Sequence, residues 1–302
     1  MRKDNRIWVA GSTGMLGSAI ARRLAALGQT NVATRYRIQP HYYDLTRSDQ
    51  VSLIFSEANP EYVFLCAARV GGIKANIQNQ SNFLYDNTLI QLNVIQACAD
   101  YGVKKLVNFA SSCIYPRNCQ QPMSEDMLLT GPFEPTNEGY AMAKMLGLKF
   151  CEHLRDKLDS VTFIPPNLYG PNDNFDLETG HFCAAIMRRL HEAKLSSAKS
   201  VKLWGTGMPV RQLAYVDDVA EIAVNAMVSD VHGPVNIGGP WAPIVTWAQR
   251  IAAVVGYEGR ILFDGREEID GMPVKVTAAP EWIEEYESRL EKTYQWFVEH
   301  YE

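Results

Sequence analysis

The first half of this 302-residue chain alternates short, nearly continuous apolar runs with longer stretches whose apolar positions recur at helical spacing. "RIWVAG", "NVATR", "EYVFLCAA" and "KKLVNFASS" read as strands, and "GMLGSAIARRLAAL", "DNTLIQLNVIQACADYG" and "EGYAMAKMLGLKFCEHLRDKL" as helices. Strands apolar on both faces and separated by helices predict a parallel sheet covered on both sides. The expected fold class is α/β, a Rossmann-like doubly wound parallel sheet with right-handed crossovers and a ligand crevice at the carboxyl ends of its strands. Beyond residue 165 prolines and glycines interrupt the pattern, at "PPNLYGPNDNF", "WGTGMPVRQ" and "NIGGPWAP". The chain divides accordingly into a sheet domain over 1–164 and a smaller lobe over 165–302 that closes over a ligand. Part of 205–240, including "RQLAYVDDVAEIAVNAM", is expected to pack back on the first domain.

Composition narrows the partners. Apolar residues make up 47% of the chain, enough to fill a core, and the net charge of -5 comes with no Lys/Arg-rich run. No nucleic acid is expected as a partner, whereas an anionic small ligand needs only a few placed cations. The six cysteines lack the spacing of a metal site or a disulfide framework. No apolar run is long enough to span a membrane, and the start of the chain carries no signal-peptide core. A cytoplasmic setting is expected.

"VAGSTGMLGSAI" places Gly11, Gly14 and Gly17, with Met15 and Leu16 between the last two, where the first strand turns into the first helix. Such a turn needs residues without a Cβ so that the backbone can approach phosphate, and the free N–H groups of the helix then face a pyrophosphate. An acidic residue ending the second strand would grip the ribose hydroxyl of NAD; here that strand ends "ATRYR", offering Arg35 and Arg37, whose guanidinium suits the 2′-phosphate of NADP. NADPH is the expected cofactor. Asp44 starts the next crossover and lies within reach of the adenine.

Ser111 and Ser112 follow the strand "LVNFA", and Tyr140 and Lys144, at i and i+4, share one face of a helix. A tyrosine donates a proton to a reduced carbonyl if its pKa is pulled down, which a nearby ammonium would do, and a serine hydroxyl adds a hydrogen bond to the carbonyl oxygen. Glycine triplet, serine and Tyr-x-x-x-Lys, in this order, resemble the extended, sugar-nucleotide-modifying branch of the short-chain dehydrogenase/reductase superfamily. "AARVGGIKAN", "SSCIYP", "TNEGYAMAK", "NLYGPNDNF", "HFCAAIMRRLHEAK", "WGTGMPVRQLAYVDD" and "TYQWF" look like the GDP-L-fucose synthase family.

That resemblance implies an NADPH-dependent epimerase and reductase acting on a GDP-linked 4-keto-6-deoxy sugar, inverting C3 and C5 and reducing C4. It also implies residue roles: Tyr140 as acid, Lys144 as its tuner and a ribose ligand, Cys113 as base and His181 as acid in the inversions. Arg211 resembles the family's diphosphate-gripping arginine, with Asn167, Trp204 and Lys275 around the sugar and nucleotide. Asn137 and Glu138 are expected to shape the turn into the Tyr140 helix. A helix-paired homodimer is the family's usual assembly.

Three departures fall where cofactor or nucleotide sugar would be held: Val274 in place of the arginine of the family's "P-R-K" run, "NIGGPWAPIVTW" in place of a more polar loop, and a longer "RYRIQPHYYDLT". They leave two alternatives open. One is a C4-reductase of a related GDP-4-keto sugar, such as a heptose or dideoxy sugar, with one epimerisation or none. The other is a non-catalytic dinucleotide sensor, which would have no need of proton-transfer groups.

Overall fold

The computed structural model describes residues 2–34, 37–38, 41–267, 271–279 and 286–301. The chain opens with strand β1 (Ile7–Ala10), helix α1 (Met15–Ala26) and β2 (Val32–Ala33), then a short antiparallel hairpin of β3 (Arg37–Ile38) and β4 (His41–Tyr42). There follow α2 (Ser48–Ala58), β5 (Tyr62–Leu65), α3 (Ile73–Gln78), α4 (Gln80–Asp100) and β6 (Lys105–Phe109). A 3₁₀ turn (Ser112–Ile114) leads through a long loop to α5 (Glu138–His153), β7 (Ser160–Ile164) and β8 (Asn167–Tyr169). The remainder comprises α6 (Phe182–Leu195), β9 (Ser200–Leu203), β10 (Val210–Tyr215), α7 (Val216–Ala226), β11 (Gly233–Asn236), β12 (Trp241–Pro243), α8 (Ile244–Val255), β13 (Arg260–Phe263), β14 (Val274–Lys275) and α9 (Tyr286–Tyr301).

Among the described residues, six strands pair in the order β11-β7-β6-β5-β1-β2, every neighbour parallel. The apolar runs of β1, β5 and β6 are buried because both faces are covered. On one face Val9, Phe64 and Val107 pack with Ala19, Ile20 and Leu24 of α1 and with Val219, Ala220 and Ala223 of α7. On the other, Trp8, Val63 and Leu106 meet Ile54 and Phe55 of α2, Val94 and Ile95 of α4, and Cys151 of α5. The strand order reverses at β1, between β2 and β5, which opens a crevice at their carboxyl ends.

Two boundaries differ from the sequence pattern. The helix expected from Asp86 begins at Gln80, where Phe83 and Asn87 are already buried, and the helix expected to run through Leu158 stops at His153. In the second case Leu154 Nα–H bonds back to the Phe150 and Cys151 carbonyls and closes the last turn.

The smaller lobe has its own core, in which α6, α8 and α9 pack around Met187, Leu190, Trp247, Ile251 and Phe297. Its central strand β10 pairs in parallel with β8 and β14 and antiparallel with β12. Trp247, wholly buried, donates its indole N–H to the Arg211 carbonyl at 2.9 Å and so fixes β10 against α8. β11 and α7, also from beyond residue 165, lie on the large sheet. Among the described residues no helix is long and apolar enough to cross a membrane.

Trp247→Ala removes both packing and hydrogen bond. It should destabilise the protein by about 3–5 kcal/mol in denaturant titration.

Candidate active site

The glycine-rich turn is built by close backbone approach. Gly11 has φ +82°, and a Cβ there would sit 2.6 Å from the Ala67 nitrogen, two residues beyond β5; one on Gly17 would sit 2.2 Å from the Gly11 carbonyl oxygen. At Gly14 the nearest such atom is 3.5 Å away. Gly14 is the N-cap of α1 and supplies no capping side chain, and the first turn of α1 carries no carboxylate. The N–H groups of that turn therefore remain available to an anion, and the residues present fit a dinucleotide. Met15 and Leu16 line the same crevice. Arg35 lies outside the described residues, as does the side chain of Arg37.

A cavity of about 1010 Å³ runs from this turn into the smaller lobe. It is lined by Gly11, Gly14, Met15, Leu16, Gly17, Ser111, Cys113, Tyr140, Lys144, Asn167, His181, Trp204, Arg211 and Lys275 together. Groups more than 150 residues apart in the sequence thus share one space.

β6 delivers the chain to Ser111 in extended conformation, and Ser111 caps the following 3₁₀ turn, its Oγ accepting from the Cys113 N–H at 3.3 Å. The turn is anchored from below by Ile114 and Tyr115, which pack on Met145 and Leu148 of α5 and on Met272. Gly139 allows the start of α5 to press against α4, since a Cβ there would lie 2.5 Å from the Gln80 carbonyl oxygen. Tyr140 and Lys144 then face the end of β6.

Lys144 is 2% exposed, and its Nζ donates to the Phe109 carbonyl at 2.9 Å while standing 5.9 Å from the Tyr140 ring centre. Burial brings the Lys144 ammonium down to about 8. The expectation that lysine depresses the phenol is not met here: burial, and secondarily the Cys113 charge, push Tyr140 above its ordinary value. With its ammonium committed to a carbonyl, Lys144 does not overcome the desolvation of the phenol. The neutral phenol is nonetheless the form a proton donor requires.

Cys113 Sγ accepts from Asn137 Nδ2 and from Lys275 Nζ, each at 3.1 Å. Burial works to raise this thiol, but the Lys275 charge, hydrogen bonds from Ser111 and Lys275, and the Arg211 charge more than offset it, and its pKa falls below the usual thiol value. His181 is the N-cap of α6 yet makes no side-chain capping bond. It is delivered by the 174–180 loop, on which Gly72 packs with its N–H on the Thr179 carbonyl. Burial, then the Lys275 charge, lower its imidazole from the usual value.

Arg211 of β10 pairs in register with Lys275 of β14 and donates Nη1 to the Met272 carbonyl at 2.7 Å. Trp204 is ringed by cations, with Arg189 4.9 Å, Lys74 5.7 Å and Arg266 5.7 Å from its ring centre. Asn167 begins β8 opposite Leu213.

Several residues were not singled out by sequence reasoning. Asn137, expected only to shape a turn, makes no capping bond to α5 and turns its amide to the Cys113 sulfur. Arg189 and Lys74 meet Trp204 from α6 and α3. Asp173 lines the cavity with a buried carboxyl pushed up to about 7 by burial. The helical spacing of "HFCAAIMRRLHEAK", which puts Arg189 on the face of Phe182 and Ala185, carried a signal for the arginine alone.

A parallel sheet with this first turn and this rim defines a nucleotide-dependent epimerase or reductase class. Residues 7–238 match the model of the NAD dependent epimerase/dehydratase family, and the chain belongs to that family. Within it the chain sits with the GDP-L-fucose synthases: that of Arabidopsis thaliana named GDP-L-fucose synthase 1 is 42% identical over 98% of this chain and 94% of its own length. Among solved structures, a GDP-6-OMe-4-keto-L-xylo-heptose reductase from C. jejuni superposes with a TM-score of 0.91 at 28% identity, covering 99% of both chains. A GDP-L-fucose synthetase from Naegleria fowleri bound to NADP gives 0.90 at 26% identity, over 100% of this chain and 96% of that one.

Gly17→Ala should weaken NADPH binding by at least about tenfold, because its Cβ must displace the Gly11 backbone. Gly14→Ala, whose Cβ would meet nothing nearer than the Gly11 carbonyl oxygen at 3.5 Å, should keep the fold. Both are read by fluorescence titration of the nucleotide; unchanged affinity in Gly17→Ala would remove the turn from the cofactor site.

Proposed function

We propose that the chain is an NADPH-dependent epimerase and reductase of GDP-4-keto-6-deoxy-mannose, inverting C3 and C5 and reducing C4. The observation that carries this reading is the joining, in one cavity, of Ser111, Tyr140 and Lys144 with Cys113 and His181. A ketone at C4 acidifies the C–H bonds at C3 and C5. The Cys113 thiolate takes such a proton, and the electron pair moves onto the C4 oxygen as an enolate. His181 returns a proton to the opposite face of the carbon, inverting it. When bound, NADPH supplies the hydride for C4. Tyr140 then gives its proton to the C4 oxygen, Ser111 holds that oxygen by a hydrogen bond, and Lys144 stabilises the phenolate left behind. Gly11, Gly14, Met15, Leu16, Gly17 and Arg35 belong to the cofactor side of this reading. Asn167, Trp204, Arg211 and Lys275 belong to the substrate side, where the cations around Trp204 suit a nucleoside diphosphate.

A second reading, C4 reduction of a related GDP-4-keto sugar with one inversion or none, draws support from the similarity to the C. jejuni heptose reductase. Cys113 and His181 favour the first, since reduction alone calls on neither. A homodimer paired through α4 and α5 is part of the proposal, supported by Leu84, Tyr85, Met142 and Leu146, which leave apolar surface exposed on those helices. A cytoplasmic setting is too, supported by six cysteines that all carry free thiols.

Turnover with NADPH in D₂O, read by NMR of the product, separates the readings. Deuterium at both C3 and C5 with a reduced C4 is the expected result; reduction with exchange at one carbon or at neither would establish the second. Tyr140→Phe should slow reduction by about 10²–10⁴-fold while exchange persists, and Cys113→Ser should do the reverse. Loss of both activities in Tyr140→Phe would overturn the division of roles.

A further inference from the structure

Resting on the reading of Cys113 as the base, we propose that Lys275 is a positioning residue that holds Cys113 as a thiolate, with Asn137 fixing the direction of its sulfur. Two N–H donors from distant parts of the chain converge on one sulfur, each at 3.1 Å. A thiol is a weak acceptor, whereas a thiolate accepts several hydrogen bonds well, so the arrangement suits the ionised form.

Both donors are held in place by backbone structure remote from the sulfur. Lys275 is fixed by the pairing of β14 with β10 and by a second set of bonds to the loop beyond the 3₁₀ turn. There, Val276 N–H reaches Gln121 Oε1 at 3.0 Å, Met123 N–H the Val276 carbonyl at 2.8 Å, and Ala278 N–H the Met123 carbonyl at 2.7 Å. Asn137 stands at a helix N-cap, where the side-chain oxygen ordinarily accepts a backbone N–H; here that oxygen makes no capping bond and the amide N–H donates to the sulfur. Its Oδ1 is buried and finds no partner among the described residues.

The other groups facing the sulfur are Ser111, the Tyr140 phenol and, more distantly, the Arg211 guanidinium. Lys275 also acts on His181, where its charge disfavours the imidazolium. One ammonium therefore biases both partners of the inversion in the same sense, towards loss of a proton. Neutralising it should move both titrations to higher pH. The pH profile of C3/C5 exchange would shift upward as a whole rather than merely losing height.

The test begins with the thiol alone, without turnover. Thiolate absorbance near 240 nm and iodoacetamide alkylation are followed against pH in the full-length protein, with Cys113→Ser subtracted to remove the other five cysteines. Lys275→Met and Lys275→Gln should each slow alkylation of Cys113 at pH 7 by about tenfold or more, and Lys275→Arg should stay within about threefold of the parent. Asn137→Ala should give a smaller decrease. If the Lys275→Gln and Lys275→Met thiols titrate as the parent does, in protein that retains its far-UV spectrum and melting behaviour, the proposal fails. The exchange measurement is then separate: a displaced titration in the lysine variants with full exchange in Cys113→Ser would keep the Lys275–Cys113 pair and discard Cys113 as the base.

Discussion

The amine of Lys144 is buried beneath the sheet's rim and donates to a single described partner, the carbonyl of Phe109. Burying an ammonium is costly, and nothing in a packed core requires one. Its bond ties α5 to the last residue of β6, the point from which the chain turns into Ser111 and Cys113. The position of Tyr140 over that rim, and the relation of the phenol to the serine and the thiol, follow from this one attachment. Burial also explains why the ammonium sits near 8 rather than at its usual value, an effect that the Cys66 charge offsets only in part.

The second lobe is attached to the same centre from the other side. β10 is clamped by the Trp247 indole on its Arg211 carbonyl, and it carries β14 in register. Lys275 is therefore placed by strand pairing, while Cys113 is placed by a turn packed on α5. Two rigid frames meet at one sulfur. On the proposed reading of Cys113, a base that must reach a ring carbon benefits from such support more than from loop flexibility.

The glycine turn, the serine and the Tyr-x-x-x-Lys pair were legible in the sequence because each is local: a turn of seven residues, a strand end, one helical turn. The layered sheet was legible for the same reason, since near-continuous apolar runs report strands buried on both faces. What stayed hidden depends on residues brought together only by folding. Asn137 and Cys113 are 24 positions apart and Lys275 and Cys113 162 apart, and no periodicity links them. The upward shift of the Tyr140 phenol was hidden as well, because spacing reveals that a lysine is near but not how much solvent the phenol loses. The early start of α4 at Gln80 escaped because its polar first turn, Gln80–Ser81–Asn82, conceals that Phe83 behind it is buried.

β11 lies at one edge of the large sheet, hydrogen-bonded to β7, although 68 residues separate the end of one from the start of the other. Between them the chain passes through most of the second lobe. During synthesis, β7 must therefore wait with an open edge until the ribosome has delivered that whole excursion, and α1 waits equally for α7 to cover it. The two halves cannot mature as independent beads on a string; cooperativity between them is woven into the order of the strands.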